Sequence, residues 1–371
     1  MAGIQIEQCA DLLYSTLQKF EKDQFQIALK HQTSEVCNRW FKKDKMVLDG
    51  GDQVNFYIQL KNSNNARHTR LYDVDNVNVA QVISEGTVKW THAQTAWAFD
   101  IRKVAMNKGN GTRVFNYLKS RVMAAHHDFV NLLEEAAWRT PTSSTDDMNP
   151  HGVPAWLVQA DSDNETGDFT GYVGDYTNSA DTEDAYSSVG GISCTSTTNP
   201  RWANWYADHN NNLDSSLLKK LRTAFRKTKF QTPTIAGMAL DPESSFYDFR
   251  LYTSSAVLDA LEELAFDHDD RIGADLGKYA GATVFKGIPF VYVDDLDTEL
   301  TYSRGADPIY GVNHKHFHPI VLSGNNFRKS KPKPKDNSHN VLEGFVDLSY
   351  AYVCDNRRAG GFLISDWEGG N

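Results

Sequence analysis

The sequence predicts an α+β fold, on three observations. Helical and strand periodicities fall in separated blocks, an extended two-stranded excursion precedes a very long amphipathic helix, and strands dominate beyond residue 283. A doubly wound sheet would need strict alternation of the two periods. With 371 residues, 40% apolar and 12% aromatic, the chain can bury a sizeable core in one large or two ordinary domains. That content excludes a mostly disordered protein. No run approaches the ~18 apolar residues of a membrane helix, and Met1 to Asp11 lacks a basic stretch leading into an apolar one, so neither a membrane span nor a signal peptide is expected. Cys9, Cys37, Cys194 and Cys354 lie far apart with no zinc spacing, and are expected as reduced thiols.

The elements follow in order. Residues 4 to about 30 carry Leu13, Leu17, Phe20, Phe25 and Ala28 near helical spacing, an amphipathic arm. Val54, Phe56, Ile58 and Leu60 alternate with polar neighbours, a strand with one apolar face. A polar stretch with Lys61, Arg67, His68 and Arg70 follows, and alternation resumes at Val77, Val79, Val88, Trp90, Trp97, Phe99 and Ile101. A hairpin spanning about 54–101 is marginal alone, so its apolar face needs cover from a second domain or from another copy of the chain. From Thr112 to Arg139, Phe115, Leu118, Val122, Ala125, Phe129, Leu132 or Leu133, and Ala136 recur every three or four residues; Pro141 ends this helix of about 42 Å.

Between Thr142 and Pro200 stand ten acids (Asp146, Asp147, Asp161, Asp163, Glu165, Asp168, Asp175, Asp181, Glu183 and Asp184) and no Lys or Arg, which accounts for the whole excess of 48 acids over 38 bases. Its Gly, Ser, Thr and Asn content suggests a weakly structured surface insertion. Residues 161–172 resemble a calcium loop, but Gly falls at position seven and Tyr172 at position twelve, against that use. A basic helix is expected over 214–229, carrying Lys219, Lys220, Arg222, Arg226, Lys227 and Lys229. A short strand over 249–252 and a helix with Val257, Leu258, Leu261, Leu264 and Ala265 come next. Strands are then expected over 283–293, 317–322 and 341–353. The basic helix and the run Lys329, Lys331, Lys333, Lys335 read as solvated surface, since a protein built to grip DNA is usually basic overall.

Phosphate-loop, dinucleotide, nucleophile-elbow and His-Glu-x-x-His motifs are absent. The best candidate for chemistry is His314-Lys-His316-Phe-His318. In a strand its three imidazoles would share one face and could take a metal with Asp294 or Asp295, though the same spacing suits a plain strand edge. Adjacent His126 and His127 point about 100° apart on a helix and cannot easily share a ligand. Asp267 to Asp270 reads as a hydrated turn.

The order arm, extended hairpin, long helix, inserted mixed domain and returning strands resembles the major capsid proteins of tailed bacteriophages, the Hong Kong 97-like fold. Local stretches carry the resemblance: Arg201-Trp202-Ala-Asn-Trp205-Tyr206, Arg226-Lys-Thr-Lys-Phe230-Gln-Thr-Pro233, Phe249-Arg-Leu-Tyr252-Thr, Phe285-Lys-Gly287-Ile-Pro289, Pro308-Ile-Tyr310-Gly311-Val-Asn313, His339-Asn340-Val and Cys354-Asp-Asn-Arg357-Arg358. They span 201–358; the N-terminal half matches by architecture. The resemblance implies an N-terminal arm (1–45), an extended loop (46–106), a spine helix of a peripheral domain (107–141), an axial domain with adjoining peripheral elements (142–334, including the acidic insertion 142–200) and returning C-terminal strands (335–371).

It further implies a non-enzymatic subunit, without cofactor or membrane partner. Such a subunit assembles in the host cytoplasm into hexamers and pentamers of an icosahedral shell around double-stranded DNA. Expected partners are further copies of itself, a separate scaffolding protein, a portal, a decoration protein and, through weak contacts, the DNA. The residues expected at the inter-subunit interface are Val54, Phe56, Ile58, Arg67, Arg70, Val77, Val79 and Trp90. Two other functions compete: a metal-dependent enzyme using His314, His316 and His318, and a surface protein recognising a glycan or host through the aromatic-rich acidic stretch.

Overall fold

The computed structural model describes residues 34–74, 77–79, 81–103, 111–141, 146, 148–160, 169–175, 187–195, 198–229, 247–267, 283–297 and 306–366. The expected N-terminal arm, Cys9, His268 to Asp270, Phe230 to Pro233 and eight of the ten acids in 142–200 lie outside these residues. The chain divides into two compact units, each assembled from separated stretches: 1–50, 91–135 and 320–350 form the first, 51–90, 136–319 and 351–371 the second.

In chain order the elements are a π-helix Val36–Asp44, β1 Met46–Leu48, β2 Gln53–Gln59, β3 Ile83–Lys89, β4 Thr91–Asp100, α1 Gly111–Ala137, β5 Thr170–Val173, β6 Ser188–Val189, β7 Ile192–Ser193, β8 Asn204–Asp208, α2 Ser215–Thr228, β9 Phe249–Thr253, α3 Ser255–Asp267, β10 Val284–Phe285, β11 Ile288–Tyr292, β12 Ala306–Asn313, β13 Phe317–Leu322, β14 Arg328–Lys329, β15 Lys333–Lys335, β16 Ser338–Cys354 and β17 Gly361–Asp366.

In the first unit, α1 buries Val122, Ala125, Phe129 and Leu133, one stripe at helical spacing, while Leu132 faces out. Phe129 meets Phe327 edge to face at 5.7 Å, and Phe41 of the π-helix meets both Phe327 and Tyr350. The buried Glu134 carboxylate accepts the Val36 N–H at 3.1 Å, which ties the start of the π-helix to α1. β4 pairs with β16 over ten residues, from Thr91↔Tyr350 to Asp100↔Val341, in the six-stranded sheet. At Gly344 the indole of Trp97 lies where a Cβ would stand, 2.5 Å away, so only glycine admits that ring.

The hairpin is therefore shorter than the sequence suggests. β2 and β3 pair from Gln53↔Lys89 to Gln59↔Ile83, and residues 91–100, expected to extend the same hairpin, belong to another sheet.

The second unit is built on a seven-stranded mixed sheet, in order β10-β11-β9-β12-β17-β8-β5. Trp205, Ala207, Phe249, Leu251, Ile309, Phe362 and Ile364 point to one face and form a single core with Leu217, Leu221, Ala224 and Phe225 of α2 and Val257 and Leu261 of α3. Residues of opposite parity, Tyr206, Tyr252, Tyr310 and Leu363, are just as deeply buried; Trp138 lies 5.0 Å from the Tyr252 ring and 6.1 Å from that of Tyr310. Burial on both faces removes the polar half of the alternation. This is why β8, β12 and β17 carry no clear strand signature in sequence.

The stretch 142–200 is corrected in part. Residues 153–160 are all buried, and Val173, Val189, Ile192 and Cys194 join them, so those parts of the acidic stretch are interior and not a surface insertion.

Candidate subunit interface

The apolar side of the β2–β3 hairpin finds its cover within its own unit. Phe56 stacks on Trp202 at 6.0 Å and 28° and leans on Trp156 at 6.2 Å. Its ring occupies the space above Gly86, its cross-strand partner, where a Cβ would stand 2.2 Å from it. The β6–β7 turn closes the other side. Gly190 and Gly191 both hold positive φ, the Gly190 carbonyl accepts the Thr87 N–H at 2.8 Å, and a Cβ on Gly190 would meet Trp156 at 2.7 Å. Both positions thus require glycine, for conformation and for space. The two indoles are held by backbone oxygens, Trp156 Nε1 donating to His151 O at 3.2 Å and Trp202 Nε1 to Val189 O at 3.0 Å.

Beneath this cradle lies Arg357, fully buried. Its guanidinium donates to Trp156 O (2.8 Å), Gly174 O (2.8 Å), Trp202 O (3.0 Å) and Asn204 Oδ1 (2.9 Å) and stands over the Trp202 ring at 5.8 Å. Burial lowers its pKa from the usual value, partly offset by the Cys194 and Cys354 thiols beside it. The same burial pushes the Cys194 thiol up, against the pull of Arg357. The Asn204 amide completes the clamp by accepting the Val158 N–H at 3.1 Å and donating to Val158 O at 2.8 Å. Three backbone segments, around Trp156, Gly174 and Trp202, thereby meet at one cation under the hairpin's base.

Beyond Leu60 the hairpin emerges into solvent. Arg201 marks the exit, donating to Asn62 Oδ1 at 3.1 Å and Leu60 O at 3.5 Å. The loop has its own internal order. Asn78 N–H donates to Asn65 Oδ1 at 2.8 Å and Asn65 Nδ2 returns to Asn78 O at 2.9 Å, Arg67 donates to Val74 O, and the Asp73 N–H donates to Arg70 O at 3.2 Å. Its apolar side chains nevertheless face water: Tyr72 is 100% exposed, Val79 95%, Leu71 90%, Val74 81% and Val77 73%.

The residues expected at the interface therefore separate. Val54, Phe56 and Trp90 are buried by their own chain and Ile58 is half-buried, which corrects the expectation that they face a neighbour; the cover comes from Trp156, Trp202 and the β6–β7 turn. Val77, Val79 and Arg70 stand exposed. Arg67 is half-exposed and turned inward to Val74 O, with Asp73 at 4.0 Å. Leu71, Tyr72 and Val74, with Ile83 at the start of β3, join the exposed apolar set without having been singled out; the three in the loop are scattered among polar residues and have no periodicity to mark them.

The histidines do not form a shared face. His314 and His316 occupy the turn between β12 and β13, not a strand. His314 Nε2 lies 2.8 Å from the Tyr252 hydroxyl in the interior, while His316 Nδ1 lies 2.8 Å from Asp355. Among the described residues no group of three His, Cys, Asp or Glu is placed to hold a metal.

No family model matches the sequence, and no curated protein matches it either. Solved structures do match in fold. The cyanophage A-1(L) capsid subunit superposes with TM-score 0.58 at 12% identity, over 93% of this chain and 95% of that one. A subunit of the native GTA particle capsid gives 0.54 at 11%, over 95% and 97%. One from the capsid of the Myoviridae phage XM1 gives 0.50 at 7%, over 92% and 95%. The fold the sequence suggests is thus the fold observed: α+β, Hong Kong 97-like, shared with phage capsid chains along nearly the whole length.

Proposed function

We propose that the chain is the major capsid protein of a tailed phage, assembling through hexamers and pentamers into an icosahedral virion shell around double-stranded DNA. The observation that carries this reading, beside the fold, is the division within the hairpin. Its base is packed into its own unit by aromatic rings and a buried arginine, and its tip presents Leu71, Tyr72, Val74, Val77 and Val79 to water. A rigid base with a greasy tip suits a lever that lies on a sister subunit.

At ~2 kcal/mol for each well-buried aliphatic or aromatic side chain, five of them contribute about 10 kcal/mol gross per contact, reduced by ordering and association costs. Repetition around a closed lattice multiplies such contacts. Scaffolding, portal and decoration proteins are the further partners this reading calls for. The loop (46–106), the spine helix (107–141) and the peripheral and axial divisions are proposed on the same basis.

Electron microscopy and sedimentation of the purified full chain, alone and with its scaffold, test the reading. Capsomers, tubes or closed shells are expected. A monodisperse monomer under all assembly conditions, with the tip still open to solvent, would overturn it. The metal-enzyme alternative gains no support from the separated histidines.

A further inference from the structure

One edge of the first unit's sheet lies open, and its sequence does nothing to guard it. β4 has a single strand partner, β16, in unbroken register from Thr91↔Tyr350 to Asp100↔Val341. In an antiparallel ladder, opposed residues alternately exchange hydrogen bonds and turn their N–H and C=O groups away from each other. Phe345 and Ser349 of β16 turn theirs away from β4. The Phe345 N–H donates to Ser330 Oγ at 2.7 Å, its carbonyl accepts the Ser330 N–H at 2.9 Å, and the Ser349 N–H donates to the Asn325 carbonyl at 3.0 Å. Their partners on β4, Ala96 and His92, therefore aim their own backbone groups outward, and by alternation so do Gln94, Ala98 and Asp100. His92, Gln94, Ala96 and Ala98 are exposed, and among the described residues no second strand covers this side.

Proteins guard a strand edge with Lys, Pro, a bulge or brevity. The opposite side of β16 has all four: β14 and β15 are two and three residues long, carry Arg328, Lys329, Lys333, Pro334 and Lys335, and shift register between Pro334 and Lys335. β4 has none of these in ten residues, which include no Lys, Arg, Pro or Gly. Nothing in the chain's own fold explains that contrast. A strand added at the edge does.

We propose that the outer edge of β4 is an isologous interface, at which a second copy of the chain adds its own β4 antiparallel across a two-fold axis and continues the sheet. Length and pairing select that partner. The other ends of the two large sheets, β1, β14, β10 and β5, are two to four residues long, too short to meet all the outward positions of β4. With the open faces kept on one side, the register Ala96↔Ala96 opposes Gln94 to Ala98, and His92 to Asp100, whose carboxylate also holds its own Arg102. All the outward residues then pair, no like charges stand opposed, and the smallest side chains fall at the axis. A slip of two residues leaves either Asp100 or His92 outside the ladder. The contact uses no part of the hairpin tip and does not rest on the shell reading.

The test is oxidative crosslinking of the full-length chain carrying one added cysteine at position 94, 96 or 98, with the unaltered chain as background. Across the axis the two Cα atoms of residue 96 stand about 5.5 Å apart, within disulfide reach. Those of residue 94, or of 98, are offset by four positions along the strand, about 14 Å. Ala96→Cys should therefore give a disulfide dimer on a non-reducing gel, and Gln94→Cys or Ala98→Cys alone only the background, while a mixture of those two should crosslink. Ala96→Pro loses an N–H that β16 does not use, so its thermal melt should hold within a few degrees while sedimentation velocity shows the dimer lost. No crosslink at 96, or equal crosslinking at 94, 96 and 98, overturns the proposal, as does a dimer that survives in a folded Ala96→Pro variant. A chain that stays monomeric, its β4 amides protected from exchange only when another protein is added, would assign the edge to that protein and overturn it equally. The crosslink at 96 should persist with Val77 and Val79 both replaced by Asp. Its loss there would make the dimer a product of the tip contact and overturn the proposal; its persistence in a chain that forms no shells would count against the shell reading alone.

Discussion

Replacing Val77 and Val79 together by Asp separates the two jobs of the hairpin. In the single chain these side chains are 73% and 95% exposed, so the substitution removes almost no buried surface. Each change should alter unfolding free energy by no more than ~0.5 kcal/mol. On a sister subunit the outcome differs: two lost valine contacts at ~1.5 kcal/mol each come to about 3 kcal/mol per contact, before any cost of dehydrating the new carboxylates. That corresponds to a ~150-fold rise in the concentration at which particles appear. Light scattering against protein concentration reads the threshold, and a thermal melt of unassembled protein reads stability. An unchanged threshold would refute the reasoning, and so would a melt lowered by more than a few degrees, since that would place the two valines in their own core.

The converse variant, Phe56→Ala, should lose about 3–5 kcal/mol of stability in urea unfolding, because it empties the space between Trp156, Trp202 and Gly86. Arg357→Met should destabilise by several kcal/mol, since it takes the donor from the buried Trp156 and Trp202 carbonyls and the half-buried Gly174 carbonyl and leaves the Asn204 amide oxygen with the Val158 N–H alone; tryptophan fluorescence at the adjacent rings follows the unfolding. His209 is buried and held neutral, its pKa lowered mainly by burial against the opposing pull of the Asp307 carbonyl and nearby carboxylates. Its unfolded form takes up a proton before its folded form does. Stability should therefore fall as pH drops below about 6.5, at up to ~1.4 kcal/mol per pH unit, until the lowered folded value is reached; His209→Gln should flatten that part of the profile.

Legibility in the sequence followed periodicity. α1 and α2 appear within a few residues of their observed limits because each has one buried stripe against water, and Phe317–Leu322 appears with its observed limits. β8, β12 and β17, the centre of the second unit, are hidden because both of their faces are covered. Several of the stretches that carry the family resemblance lie in that interior. Trp202, Tyr206, Tyr252, Tyr310, Asn313 and Arg357 are all fully buried, so the likeness is a likeness of core packing and not of a reactive site.

Alternation at Val54, Phe56 and Ile58 determined that one side of a ribbon is greasy, and a count of charges determined that the acids concentrate in one stretch. Neither could say what the greasy side touches. Its partners, Trp156, Trp202 and Gly190, stand more than ninety residues further along, and the distance in space between such positions is set only when the second unit folds. Tertiary structure alone divided the hairpin into an anchored base and a bare tip. It also sent His314 inward to Tyr252 and His316 outward to Asp355, because a turn, unlike a strand, does not keep alternate side chains on one face.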